Sequence, residues 1–436
     1  MGFLSYHALL LARLPLKRGL MFYRHMSELA RFRALPPDQQ RLRQLELLDS
    51  ILRFAARTNF YQPLCDQHHS DDAIELLKSF PYLEKETVRA RPDDFATYAF
   101  PTIPAHTSGT TGTPLRLRRA LGSIAREEAG FITWYRSAGW TPEDTMIVMR
   151  GDLVAPVERR QPPYGLRDLI GNRLVLSTYH LSDAAMSWYL TAIQSSGARF
   201  LSAYPSAAFI LADYLSRNEL APLGLRAVFL ASETVQDGQK SVIEKFLGPV
   251  HAHYGSAERV CWMTTCSAGH YHEDTSYGFS EFAPLGEGMF EIIATGLTNN
   301  AMPLIRYRTG DIAVAPFTWD QFCPCGKPGP GCKQIVGRVD DLLMTPDHRR
   351  IGRLDHVFKG VAHVVAAQII QHAPDRVEMR VIRADGYSAE DEAGIARNFA
   401  ARVGPDVRLE FTYLVQMPRT AAGKFRAVVS RLPAQP

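Results

Sequence analysis

From Met146 to Tyr254 the chain alternates short apolar runs with segments of helix length, and this rhythm is the tightest constraint on its fold. The runs are Met146–Arg150, Leu174–Thr178, Phe200–Ala203, Ala227–Ala231 and Val250–Tyr254, with helix-like stretches near 182–196, 206–217 and 236–247. Strands covered on both faces read as continuous apolar runs, and parallel strands need long crossovers that helices supply. The pattern therefore predicts an α/β protein with mainly parallel, helix-covered sheets. Residues 1 to 100 read as mostly helical, punctuated at Pro36-Pro37, Pro63 and Pro81. Beyond residue 278, strands such as Met289–Thr295 and Ile305–Val314 follow without long helices, which predicts a small antiparallel or barrel-like β element. The tail reads as strands near 364–371, 377–383 and 407–414 around a helix near 388–403, enough for a small α+β domain. The expected division is a large domain over 1–338 and a small, mobile one over 339–436.

The 436 residues are 46% hydrophobic and 22% charged, ample for a large core. A net charge of +4, with no aromatic-basic module, argues against a nucleic-acid partner. The first fifty residues hold eight basic and four acidic side chains, a surplus equal to that of the whole chain. A basic helix there fits a solvated face or a membrane surface, and the solvated face is the expectation. The apolar stretch Ala8–Ala12 is too short to span a bilayer, has its charges after it, and lacks a clear cleavage site. A cytoplasmic protein without a transmembrane segment is expected, with oligomeric state left open.

Residues Thr107-Ser108-Gly109-Thr110-Thr111-Gly112-Thr113-Pro114 place five hydroxyls and two glycines within eight positions. Glycines let backbone N–H groups approach an anion and hydroxyls add donors, which suits phosphate. The Walker lysine is missing, since Gly112 is followed by Thr113, Pro114 and Leu115. By itself such a stretch is more often a hydroxyl-rich turn.

Four further motifs follow in order. Tyr254-Gly255-Ser256-Ala257-Glu258 directly follows a predicted strand, where open α/β sheets bind ligands. Its tyrosine offers a face for a purine and its carboxylate a ligand for magnesium. In Arg306-Tyr307-Arg308-Thr309-Gly310-Asp311 the carboxylate can accept from both ribose hydroxyls. Gly337-Arg338-Val339-Asp340-Asp341 sits at the composition boundary, where an arginine can donate to ribose or phosphate and a polar pair can absorb a backbone rotation. Pro418-Arg419-Thr420-Ala421-Ala422-Gly423-Lys424 ends on a glycine-flanked lysine able to neutralise developing negative charge. Each motif alone also reads as an ordinary polar turn or cap.

Together and in this order, the five motifs resemble the adenylate-forming superfamily of acyl-CoA synthetases and adenylation domains, in its phenylacetate-CoA ligase and CapK-like branch. Phe80-Pro81-Tyr82-Leu83-Glu84-Lys85, Ala203-Tyr204-Pro205-Ser206, Ala231-Ser232-Glu233 and Met302-Pro303-Leu304-Ile305 extend the resemblance over residues 55–430. It implies an ATP-dependent ligase. Thr107, Ser108, Gly109, Thr110, Thr111, Gly112 and Thr113 would hold the phosphates. Glu233, Tyr254, Gly255 and Ser256 would line the nucleotide site, Glu258 would bind Mg2+, and Asp311 with Arg338 would hold the ribose. Asp340 would be the hinge and Lys424 the adenylation lysine. Leu115 replaces the lysine many relatives carry after the proline, and Pro346-Asp347-His348-Arg349-Arg350 replaces their Ser-Gly pair after the hinge.

The implied reaction joins a carboxylic acid to AMP as an acyl-adenylate and then transfers the acyl group to CoA or to the phosphopantetheine of an acyl carrier protein. Two alternatives stand beside it. One is adenylyl transfer to a non-carboxylate acceptor, as in CapK-like nucleotidyltransferases; the other is a non-catalytic binding protein, against which intact Glu258, Asp311 and Lys424 argue. Trp134, Tyr135 and Tyr204 fit an aromatic acid or core packing equally.

Six cysteines in a chain without a secretion signal suggest metal binding or core positions more than disulfides. Cys323 and Cys325 with Cys266 and His270 make a Cys3His set sufficient for structural Zn2+, which some members of the branch carry. His272, Cys261 or Cys332 could replace a ligand, and the alternative is free thiols.

Overall fold

The computed structural model describes residues 3–68, 70–98, 101–106, 115–156, 158–235, 237–338, 343–347, 350–351, 354–358, 361, 363–418 and 425–432. Six helices open the chain: α1 (Phe3–Arg18), α2 (Leu20–Arg33), α3 (Pro37–Ala55), α4 (Gln62–Gln67), α5 (Ala73–Ser79) and α6 (Lys85–Ala90). A hairpin of β1 (Thr102–His106) and β2 (Arg116–Ala120) leads into α7 (Leu121–Ser137). The alternating region follows as β3 (Met146–Met149), β4 (Gly165–Asp168), β5 (Arg173–Leu176), α8 (Asp183–Ser196), β6 (Phe200–Ala203), α9 (Pro205–Arg217), β7 (Ala227–Ala231), α10 (Asp237–Phe246) and β8 (Val250–Gly255). Then come β9 (Trp262–Thr265), β10 (Tyr271–Glu273), β11 (Gly278–Gly286), β12 (Met289–Gly296), β13 (Tyr307–Phe317) and β14 (Gly331–Arg338). The tail holds β15 (Leu343–Met344), β16 (Arg350–Ile351), β17 (Val364–Ala373), β18 (Arg376–Arg383), α11 (Ala389–Val403), β19 (Arg408–Tyr413) and β20 (Val428–Ser430).

Strands β5, β3, β6, β7 and β8 are mutually parallel, as the alternation predicts. Every residue of β3, β6 and β7 is buried, which is why these strands read as unbroken apolar runs. Helix α8 stops at Gly197, whose φ of 63° ends the turn without a Cβ penalty.

The antiparallel element is continuous with the parallel one rather than detached from it. Strand β9 pairs antiparallel with β8, and β10, β14, β13, β12 and β11 extend the ladder in a single order that ends at β4 on the far side. This ladder is strongly curled. Tyr254 on β8 and Asp311 on β13 have β9, β10 and β14 between them, which is four strand spacings or about 19 Å along a flat sheet. Their side chains nonetheless meet at 2.7 Å. The curvature accounts for the barrel-like reading of this region.

Helices α3 and α5 bury Leu48, Ile51 and Leu77 in one core with Met263, Ile292 and Tyr307. Helices α1 and α2 pack on α7 through Tyr6, Phe22 and Leu29. Along their outward surface large apolar side chains, among them Leu11, Leu20 and Tyr23, stand exposed beside the basic ones. No described helix is long and apolar enough to cross a membrane. The tail is a separate four-stranded sheet, ordered β19-β18-β17-β20, with Ile395 and Phe399 of α11 packed among Ile369, Val377, Met379 and Val381. Ser388 and Asp391 start α11 with a capping box.

Candidate active site at the carboxyl ends of the parallel strands

Strand β8 delivers Tyr254 and Gly255 at its carboxyl end, and the chain turns through Ser256 and Glu258 before entering β9. Tyr254 donates its hydroxyl to Asp311 at 2.7 Å. Burial and the adjacent carboxylate push this phenol well above its usual pKa, so it stays a donor. Tyr307, buried at the start of β13, donates to Glu258 at 3.0 Å, and burial together with that carboxylate raises its pKa as well. The two carboxylates assigned to ribose and magnesium are thus each oriented by a protonated phenol.

The register of β13 and β14 places Asp311 opposite Arg338. The Arg338 guanidinium lies 3.6 Å from the Asp311 carboxylate and donates to the Thr309 carbonyl at 3.1 Å. Gly310 permits this approach: its φ is +71°, and a Cβ would stand 3.0 Å from Arg338 Nη2. Ser256 Oγ is enclosed with no hydrogen-bond partner among the described residues, an orphan that a bound polar ligand would satisfy.

Thr107, Ser108, Gly109, Thr110, Thr111, Gly112 and Thr113 lie outside the described residues, as do Asp340 and Lys424. What flanks them is defined. The β1–β2 hairpin pairs His106 with Arg116, so the two residues flanking 107–115 face each other at the end of an antiparallel stem. That stem touches the 254–258 turn, because Arg119 donates to the Ala257 carbonyl at 2.7 Å. Asn299 fixes it from the other side, accepting from Ala120 N–H at 3.0 Å and donating to the Arg118 carbonyl at 2.9 Å.

Glu233 joins the two parts of the chain. One oxygen accepts the Ser206 N–H at 3.0 Å in the first turn of α9, where backbone donors lack helical partners. The other accepts the Phe425 N–H at 2.7 Å, one residue beyond Lys424. Ser232, in the left-handed region at φ 75°, sets the turn that presents this carboxylate.

The aromatic residues that fit either an acid pocket or core packing divide in two, and Phe131 lies with the second group. Trp134 and Tyr204 are buried, and Trp134 packs edge-on against Phe229 with ring centroids 5.0 Å apart. Phe131 and Tyr135 are half-buried; Arg150 lies over the Phe131 ring at 5.4 Å, and the Tyr135 hydroxyl is 3.4 Å from Ser202 Oγ. His253, beside them, is pushed down to about 3 by burial and by Arg150, so its imidazole is neutral.

A second cluster lies where the β9–β10 turn meets the segment between β13 and β14. The ligand atoms of Cys266, His272, Cys323 and Cys325 all fall within 4.8 Å of one another. Cys266 and Cys323 sulfurs are 3.7 Å apart, and Cys325 Sγ is 3.5 Å from His272 Nε2. A tetrahedral zinc with Zn–S of about 2.3 Å has S···S edges of about 3.8 Å, so the donor set fits that ion, whereas a disulfide needs about 2 Å. The histidine in this set is His272, the alternative ligand, in place of His270. His270 instead directs Nδ1 to Cys323 Sγ at 3.3 Å. Cys261 and Cys332 are buried elsewhere in the core among apolar residues.

Arg119, Asn299 and Tyr307 were not assigned roles from sequence. Only Tyr307 had a signal, through its place inside the Arg306–Asp311 motif.

Residues 343–431 match the CapK C-terminal domain family. Over 376 residues the chain is 22% identical to protein CapK of Staphylococcus aureus, covering 82% of this chain and 81% of that one. It is 24% identical over 463 aligned positions to phenylacetate-coenzyme A ligase of Thermus thermophilus, covering 91% and 97%. Among solved structures, 2-hydroxyisobutyryl-CoA ligase in its postadenylation state, in complex with 2-HIB-AMP, superposes with a TM-score of 0.65 at 17% identity, covering 91% and 90% of the two chains. The chain thus shares the fold of 2-hydroxyisobutyryl-CoA ligase. In sequence it is similar to CapK and to phenylacetate-coenzyme A ligase.

Proposed function

We propose that this protein activates a small carboxylic acid with ATP, forming an acyl-adenylate and pyrophosphate, and then passes the acyl group to the thiol of CoA or of a carrier protein. The observation that carries the reading is the seating of Phe425 on Glu233, which brings the segment adjoining Lys424 to the carboxyl ends of the parallel strands. Asp311, held by Tyr254, would accept the ribose hydroxyls beside Arg338, and the 107–113 segment on its β1–β2 stem would cradle the phosphates. Glu258 would hold Mg2+, which neutralises phosphate charge as the carboxylate attacks the α-phosphorus. Lys424 would stabilise the same transition state. The Cys266–His272–Cys323–Cys325 set would hold a structural zinc, since it lies apart from these groups and offers four protein ligands with none left open for chemistry.

Exchange of labelled pyrophosphate into ATP across a panel of aryl and aliphatic acids tests the reading. Exchange that requires a carboxylic acid supports it. Exchange that requires a different acceptor would assign adenylyl transfer instead, and no exchange with any acceptor would leave a binding protein.

A further inference from the structure

Helix α1 carries its apolar stripe on the wrong side for a solvated helix. Ala8, Leu11, Ala12 and Pro15 recur at helical spacing and are all exposed, while Tyr6 and Leu10 point into the α7 core. The surface continues past Gly19 into the first turn of α2, where Leu20 is 91% exposed, Met21 52% and Tyr23 66%; Leu11 on α1 is 57% exposed. Leu169, in the turn between β4 and β5 and 71% exposed, stands beside α1, since its backbone N–H donates to His7 at 3.3 Å. Several large apolar side chains left exposed on two successive helices point to an interaction face.

Charge identifies what it faces. Residues 1–33 hold Arg13, Lys17, Arg18, Arg24, Arg31 and Arg33 against Glu28 alone, a net +5 that leaves the remainder of the chain at −1. Lys17 and Arg18 pair with Glu128 of α7 at 3.2 and 3.4 Å and Arg33 lies 4.0 Å from Asp274, yet counting both carboxylates the helical surface still carries +3. An apolar stripe flanked by cations complements a bilayer of anionic lipid, where the leucines enter the acyl boundary and the arginines meet the headgroups. A second copy of the same patch would set like charges against each other.

We propose that the α1–α2 surface docks this protein on the face of an anionic lipid bilayer. The test is flotation of the full chain with vesicles of phosphatidylcholine alone or with about a third phosphatidylglycerol. The chain should float with the anionic vesicles, bind the neutral ones more weakly, and detach in about 0.5 M salt. The double substitution Leu11→Glu and Leu20→Glu should lower anionic-vesicle binding at least ~10-fold while leaving the melting midpoint unchanged, since both side chains face solvent. Three results would overturn the proposal: no flotation of the unsubstituted chain, binding undiminished by the double substitution, or a vesicle-free dimer that these substitutions split without any vesicle binding.

Discussion

Asp311 stands between a phenol and a guanidinium, and the two constrain it differently. Tyr254 fixes one oxygen by a directional hydrogen bond, while Arg338 at 3.6 Å supplies field more than direction. A carboxylate held in this way is an acceptor of the kind two ribose hydroxyls require. Replacing Asp311 with Asn turns one acceptor into a donor facing Arg338. The expected result is a KM for ATP raised at least ~10-fold with a smaller change in kcat, because a ribose contact is made alike in ground and transition states. ATP titration of the pyrophosphate-exchange rate measures it, and an unchanged KM would remove Asp311 from the nucleotide site. At this scale the motif residues were legible because hydroxyls, carboxylates and glycines cluster locally in the sequence. Their partners were not: Tyr307 reaches Glu258, and Arg119 reaches Ala257, only through tertiary placement.

Among the elements, the alternating strands of the parallel region were readable because burial on both faces leaves a continuous apolar run. The antiparallel part was readable as strands but not in its path, since curl depends on pairings between distant segments. The same limit appears in the cysteine cluster. His270 and His272 are two residues apart and so share a face of an extended chain, which left the choice of ligand open. In the fold, His272 of β10 meets Cys325, while His270 in the preceding turn meets Cys323. A zinc there would tie the β9–β10 turn to the segment joining β13 and β14. Purified under reducing, chelator-free conditions, the protein is expected to hold about one zinc per chain; Cys323→Ser should release it and lower the melting midpoint by at least about 4 °C. Metal analysis with a thermal melt checks both, and metal-free protein of equal stability would leave the cluster as free thiols.

For the molecule as a whole, Glu233 is one point, among the described residues, where the tail meets the large sheet, through a hydrogen bond that a rotation of the tail would break. If Lys424 serves adenylation alone, Lys424→Ala should slow acyl-adenylate formation at least ~10²-fold, the scale of losing one transition-state donor, yet spare acyl transfer from adenylate supplied ready-made. Single-turnover assays of the two half-reactions separate the outcomes, and equal loss in both would reject two working arrangements of the tail. The contacts that build this site also share a topological property. Tyr254 and Asp311 are 57 residues apart, Glu233 and Phe425 are 192, and Arg306 reaches the Phe80 carbonyl across 226. Such closures cost chain entropy before their contacts reward it. If ATP binds here as proposed, a partly folded chain would lack its site, and ATP would favour the finished molecule increasingly as its concentration rises above Kd.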